Sequence, residues 1–192
     1  MTNYSDTQVK CIGSEKEINE LYRIMRELET KPRPDTANDW GRQWLGCLVQ
    51  ALGSDWQQVR CRGEWFDLEL DGNILSFSTS SAWTAPTEVF NLIQEKFPNI
   101  EVFYSSVELG CCYAETNDVE GRFFTSRYII DLSTEDEEYR TEYFDTLHDA
   151  LSWTEKMMDC RLETEQDIEV LNDKLSVKDT EAYVYIHEFD VI

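Results

Sequence analysis

The sequence predicts an α+β fold, an antiparallel sheet with its helices on one face, organised around a split βαβ core. Three observations predict it. Residues 64–80 alternate apolar and polar around Asp71-Gly72, the pattern of a hairpin with one buried face. Stretches of helical period flank that hairpin at residues 15–29 and 86–97. Strand-like segments, "VKCIG" and "IEVFYSSVE", precede the first helix and follow the second.

Each element has its own local reason. Gly13 ends "VKCIG", and Ser14 followed by Glu17 has the spacing of a capping box. Ile18, Leu21, Tyr22, Met25 and Leu28 then keep helical register to about residue 29. The prolines and polar residues of "TKPRPDTAND" mark a loop. Trp40, Trp44, Leu45, Leu48 and Leu52 predict a second helix, stopped near Gly53. In "EWFDLEL", Phe66, Leu68 and Leu70 are expected inside, with Asp67 and Glu69 in water; "NILSFSTS" returns with Leu75 and Phe77 inward. At "SAWTAP", Thr84 is the expected N-cap, Pro86 fits the first helical turn, and Trp83 is expected to wedge strand against helix. Pro98-Asn99 ends that helix.

The order is strand, helix, strand, strand, helix, strand, with one helix inserted near residues 39–53. This is the ferredoxin-like arrangement, whose crossovers put both main helices on one face of an antiparallel sheet. The name concerns topology alone, since the cysteine spacing matches no iron–sulfur cluster. Further on, "CCYAE" and "RFFTSRYIIDL" predict a hairpin around "TNDVEG". "STEDEEYRTEYFDTLHDALSWTEKMM" opens acidic and becomes an amphipathic helix through Phe144, Leu147, Leu151 and Met158. "ETEQDIEVLNDKL" predicts a shorter helix, and "AYVYIHEFDVI" a buried strand. The expected organisation is one domain over residues 1–192: a ferredoxin-like core at 7–108, and an acidic α/β extension at 109–192 packed on it.

Charge limits the partners. The net charge is -22, with 39 acidic residues against 17 basic ones. Direct nucleic-acid binding and an anionic membrane surface are both disfavoured, because each needs clustered Lys and Arg. Residues 101–192 hold 24 acids and 7 bases, so the second half carries -17 of the total. Such a surface aids solubility, and it also suits a basic protein partner. No stretch approaches the roughly 20 apolar residues of a membrane span, and "MTNYSDTQVK" lacks the pattern of a signal peptide. A cytoplasmic setting with reduced thiols is expected for Cys11, Cys47, Cys61, Cys111, Cys112 and Cys160. No cofactor or metal is expected, because no ligand set with the usual spacing is present.

The run "LSFSTSSAWTAPTEVFNLIQEKFPNIEVFYSSVELG" resembles the YubB-type ferredoxin-like proteins, also described as Api92-like. The matching positions are Phe77, Thr79, Ala82, Trp83, Pro86, Lys96, Phe97, Pro98, Tyr104, Glu108 and Gly110, within residues 64–115. The resemblance implies the ferredoxin-like fold and an origin among bacteria, plasmids, phages or other mobile elements. It implies no established reaction and no catalytic residues.

Catalytic motifs are scarce. Ser80 and Ser81 have neither a G-x-S-x-G setting nor a local base, so they read as strand-terminating residues. Cys11 or Cys61 can be paired with His187 only through folding, and buried free cysteine is the commoner state. "STEDEE" lacks the spaced ligands of an EF-hand, and no P-loop or dinucleotide fingerprint occurs. The expectation is therefore a protein with no enzymatic role, acting through protein–protein interaction. Glu135, Asp136, Glu137, Glu138 and Glu142 would meet a basic partner, as a DNA mimic does in one version. The alternative is a small-molecule-binding protein or hydrolase with a pocket formed by Trp83, Tyr104 and Glu108. Oligomeric state is not encoded in any recognisable pattern.

Overall fold

The first strand, β1 (Tyr4–Gly13), buries Ser5, Thr7, Val9 and Cys11 on one face, and that face organises the first part of the chain. The computed structural model describes residues 3–134, 136, 138–177 and 181–192. Its architecture is mixed α+β with antiparallel sheets, in two compact units, Met1–Asn117 and Asp118–Ile192.

In the first unit, β1 is followed by α1 (Glu15–Thr30), α2 (Leu45–Ala51), β2 (Gly63–Asp71), β3 (Ile74–Ala82), α3 (Thr87–Lys96), β4 (Ile100–Glu108) and β5 (Tyr113–Thr116). The strands lie in the order β2-β3-β1-β4-β5, every neighbouring pair antiparallel. Val9, Cys11, Leu75, Phe77 and Val102 of the sheet share one core with Ile18, Leu21 and Met25 of α1. Leu45 and Leu48 of α2 and Val89 and Ile93 of α3 complete it. Each such aliphatic side chain contributes roughly 1.5–3 kcal/mol by leaving water.

Ser14 caps α1 as its spacing predicts, accepting the Glu17 N–H. The Glu17 carboxylate does not turn back on the cap; it accepts the backbone and side-chain N–H groups of Asn99, tying α1 to the start of β4. The inserted helix is shorter than its apolar pattern predicts. Trp44 sits at the N-cap position of α2, and a Cβ on Gly46 would lie 2.3 Å from its indole. The ring thus occupies the space a larger residue would need at Gly46, and the helix does not reach back to Trp40 because Gly41 takes φ 87° and Trp44 is extended.

The β2–β3 hairpin turns at Gly72-Asn73, where Gly72 takes the positive φ, 58°, needed at the first central position of a primed turn. Strict alternation fails in β2, because a bulge lies between Phe66 and Glu69, with Asp67 at φ 55°. Before the bulge Trp65 is fully buried and Phe66 is 36% exposed; Leu68 within it and Leu70 after it pack on the core. Nor does "CCYAE" pair with "RFFTSRYIIDL". Instead β5 pairs with β4 across a 3-10 turn at Leu109–Cys111, closed by Cys112 in the left-handed region.

The second unit contains β6 (Tyr128–Ser133), β7 (Tyr139–Phe144), α4 (Leu147–Met158), α5 (Glu165–Val177) and β8 (Tyr183–Glu188). β6 lies between β7 and β8, antiparallel to both. Ile130, Leu132 and Val184 pack with Ala150, Leu151, Leu162 and Ile168. Thr146 caps α4 by accepting the Asp149 N–H at 3.2 Å and donating to its carboxylate at 2.6 Å. The segment ahead of α4, expected to lead into a helix, is the edge strand β7, and α5, at 13 residues, is no shorter than α4, at 12. A carboxylate anchors the entry to this unit: Asp118 accepts the N–H groups of Arg122, Phe123 and Phe124 at 2.9, 2.6 and 2.9 Å. Burial alone would raise its pKa, but those three donors and the Arg127 charge outweigh it and hold the carboxyl below its usual range.

Candidate functional site: the corner at Trp83

Four residues, Trp83 to Pro86, carry the chain from β3 to α3. Ser81 fixes the start of the corner by donating its hydroxyl to the Thr84 carbonyl at 2.8 Å. Trp83 takes φ 75°, the left-handed region that a bulky L-residue seldom visits, and donates its N–H to the Asn3 carbonyl at 3.0 Å. Pro86, not Thr84, occupies the cap position of α3, and no side chain accepts there. The expected Thr84 cap fails because the helix starts three residues later, at Thr87.

At this left-handed turn Trp83 is 49% exposed instead of wedged between strand and helix. It walls a cleft of about 200 Å³ together with Arg60, Arg62, Thr84, Thr87 and Glu88, among others. Arg60 and Arg62 alternate around Cys61, which is buried, so both guanidinium arms stand on the wet side of their segment. The Glu88 carboxylate accepts the Arg60 backbone N–H at 2.7 Å, bracing that segment against α3.

Behind the corner lies a partly buried polar network. The Ala85 N–H donates to the Tyr113 hydroxyl at 3.1 Å; that hydroxyl donates to Glu115 Oε1 at 3.1 Å. Tyr104 donates to the same oxygen at 2.6 Å. Burial first, and then the Glu115 hydrogen bond and charge, raise the Tyr104 pKa well above the ordinary tyrosine value. Next to it, Ser106 bonds Thr7 at 2.8 Å and Ser5 at 2.5 Å. Thr79 and Trp65 are also fully buried here, with Thr79 Oγ1 and Trp65 Nε1 lacking a hydrogen-bond partner among the described residues.

Of the three residues expected to form a pocket, Trp83 alone lines this cleft. Trp83 faces the cleft, whereas Tyr104 is buried against Phe90 and Glu115 and does not line it. Glu108 does not line it either. It bonds the Cys111 thiol, which raises that thiol's pKa, and Cys111 in turn accepts from the Asn3 side chain. The polar partner of Tyr104 is thus Glu115, one strand over. Burial pushes the Cys11 thiol up to about 12, and burial followed by the Glu88 charge pushes Cys61 up to about 11, so neither favours the nucleophilic thiolate. Among the described residues no group of three or more His, Cys, Asp or Glu side chains is placed to hold a metal ion. No described helix is long and apolar enough to cross a membrane.

Of the expected partner-facing acids, Asp136, Glu138 and Glu142 are exposed at the start of β7 and along it, while Glu135 and Glu137 lie outside the described residues. Glu138 pairs with Arg140 at 3.0 Å. Glu142 is opposite Ile130 and so shares the helix-side face, whereas Tyr139 is opposite Ser133 on the other face. On that other face Tyr139, Tyr183 and Tyr185 form a row, with ring centroids 6.5 and 5.0 Å apart, and Asp131 accepts from Thr141 beside it. Tyr139 is 64% and Tyr185 55% exposed.

Comparison with protein-family models, with curated proteins and with solved structures finds no match. Function therefore rests on the chemistry of the chain's own residues. Arg60 and Arg62 escape a motif-based reading, yet their signal is present: from Gln43 to Gly121 the only basic residues are Arg60, Arg62 and Lys96.

Proposed function

We propose that this chain acts by protein–protein interaction, its acidic second unit presenting carboxylates to a basic protein. The observation that carries the proposal is the state of β7: Tyr139 to Glu142 are all exposed on an edge strand, in a unit with 21 acids against 7 bases. An edge strand offers unpaired backbone groups to a partner, and its neighbouring carboxylates steer a cationic one. The exposed rings of Tyr139 and Tyr185 suit the same partner, because Lys and Arg settle over aromatic faces. In one version the carboxylates replace the phosphates of DNA on a nucleic-acid-binding protein.

The same proposal takes the first unit as a ferredoxin-like core and the second as its acidic extension. The order β2-β3-β1-β4, with α1 between β1 and β2 and α3 between β3 and β4, supports this. The resemblance of residues 64–115 to YubB-type proteins points the same way, and with it to a mobile-element origin. The test is affinity capture from a native bacterial lysate, followed by a salt gradient. A basic protein retained at about 50 mM salt and released by about 500 mM is expected, since screening shortens from roughly 14 to 4 Å over that range. Retention of no basic protein, or retention indifferent to salt, refutes the proposal.

A further inference from the structure

We propose that the cleft at Trp83 is a binding site for a small anion carrying a flat ring, with Arg60 and Arg62 holding the anionic group and the Trp83 indole stacked on the ring. This site belongs to the first unit and does not depend on the acidic interaction surface. In a chain of net charge -22, a free anion is repelled from most of the surface, so a local concentration of positive charge is informative. Two of the three basic residues between Gln43 and Gly121 line this one cleft. Guanidinium groups suit a carboxylate or a phosphate, because their planar fork matches paired oxygens.

The lining includes two guanidinium groups and one carboxylate, Glu88, whose Oε2 accepts the Arg60 backbone N–H. The first turn of α3 meets the same cleft without a capping side chain and adds the positive end of the helix dipole. Trp83 supplies the second recognition element. Its backbone lies in the left-handed region and donates to Asn3, and the residue is 49% exposed beside two cations. A ring so placed gains contact when another flat ring covers it. The volume, about 200 Å³, is below the roughly 300–1,000 Å³ of sites for drug-sized ligands, which restricts the occupant to one small ring system with its anionic substituent.

Phosphate and carboxylate share this chemistry, so the experiment includes both. Phenyl phosphate, phenylacetate, inorganic phosphate, acetate and phenol are titrated separately into the full chain by calorimetry. At least one ring-bearing anion is expected to bind about tenfold more tightly than its ring-free anion or phenol alone, and, the ring being the same, the tighter of the two names the anionic group. Arg60→Gln/Arg62→Gln is expected to weaken it about tenfold or more, and Trp83→Gly, which fits the positive φ, to remove the advantage of the ring. The Nε–H resonances of Arg60 and Arg62 in the unaltered protein are expected to shift in the same titration. No binding by about 10 mM ligand, equal affinity for the ring-free anion alone, or unchanged affinity in the arginine variant overturns the proposal.

Discussion

Replacing Trp83 by Gly and by Ala isolates the backbone conformation of the corner. Both changes remove the same half-exposed indole, so its packing contribution cancels in the comparison. What differs is the response to φ 75°. An L-residue in the left-handed region is destabilised by roughly 1–2 kcal/mol, a penalty glycine avoids. At an ordinary position alanine is favoured over glycine by about 0.4–1 kcal/mol, because it restricts the unfolded chain. The difference leaves Trp83→Gly more stable than Trp83→Ala by about 1 kcal/mol, the reverse of the usual order. Urea denaturation of the two variants, compared at equal m-values, reads this directly as a shift in midpoint. If Trp83→Ala equals or exceeds Trp83→Gly in stability, the corner is not held in the left-handed region and the account of the exposed indole fails.

Three further outcomes follow from the buried groups. Thr79→Val, which removes a buried hydroxyl without a hydrogen-bond partner among the described residues, is expected to be neutral or stabilising by up to about 1 kcal/mol; Thr7→Val, which breaks a bond to Ser106, should destabilise by about 1–2 kcal/mol, both by urea unfolding. A thiol reagent on the native protein should label the exposed Cys111 and Cys112 ahead of the buried Cys11, Cys47 and Cys61, which react only on unfolding; rapid labelling of Cys11 would contradict the core described here. Burial, partly offset by Asp131, lowers the pKa of His187, so the unfolded chain takes up the proton first as pH falls below about 6.5. Stability should therefore decline between pH 7 and 5.5, and His187→Gln should flatten that decline in urea midpoints; an unchanged pH dependence in the variant sinks this assignment.

Local chemistry made much of the first unit legible. The Ser14 cap, the apolar stripe of α1 and the hairpin at Gly72 all follow from short-range preferences that the tertiary structure keeps. Reading failed where a single residue changes phase. The bulge at Asp67 moves Trp65 in and Phe66 out, and no alternation rule applied across it can recover that. β7 gave no strand signal because an edge strand exposed on both faces has no buried side to mark. Its neighbours Phe144, Leu147 and Leu151 have helical spacing, so the helix appeared to begin too early. The pairing of β5 with β4 depends on a left-handed Cys112, a conformation that a non-glycine residue does not advertise. At the site, the break in pattern at "SAWTAP" marked the corner correctly. Its cationic wall comes from residues 60–62, about twenty positions earlier, and only the scarcity of basic residues pointed to it.

The central claim concerns the acidic second unit, and charge reversal tests it most directly. The proteins retained from one lysate are quantified on the unaltered chain and on the Asp136→Lys/Glu138→Lys/Glu142→Lys variant, three exposed positions whose replacement leaves the core untouched. A basic protein held by the former and lost from the latter, with equal thermal stability of the two, is the predicted result. Retention of the same basic protein in the same amount by both would contradict the claim.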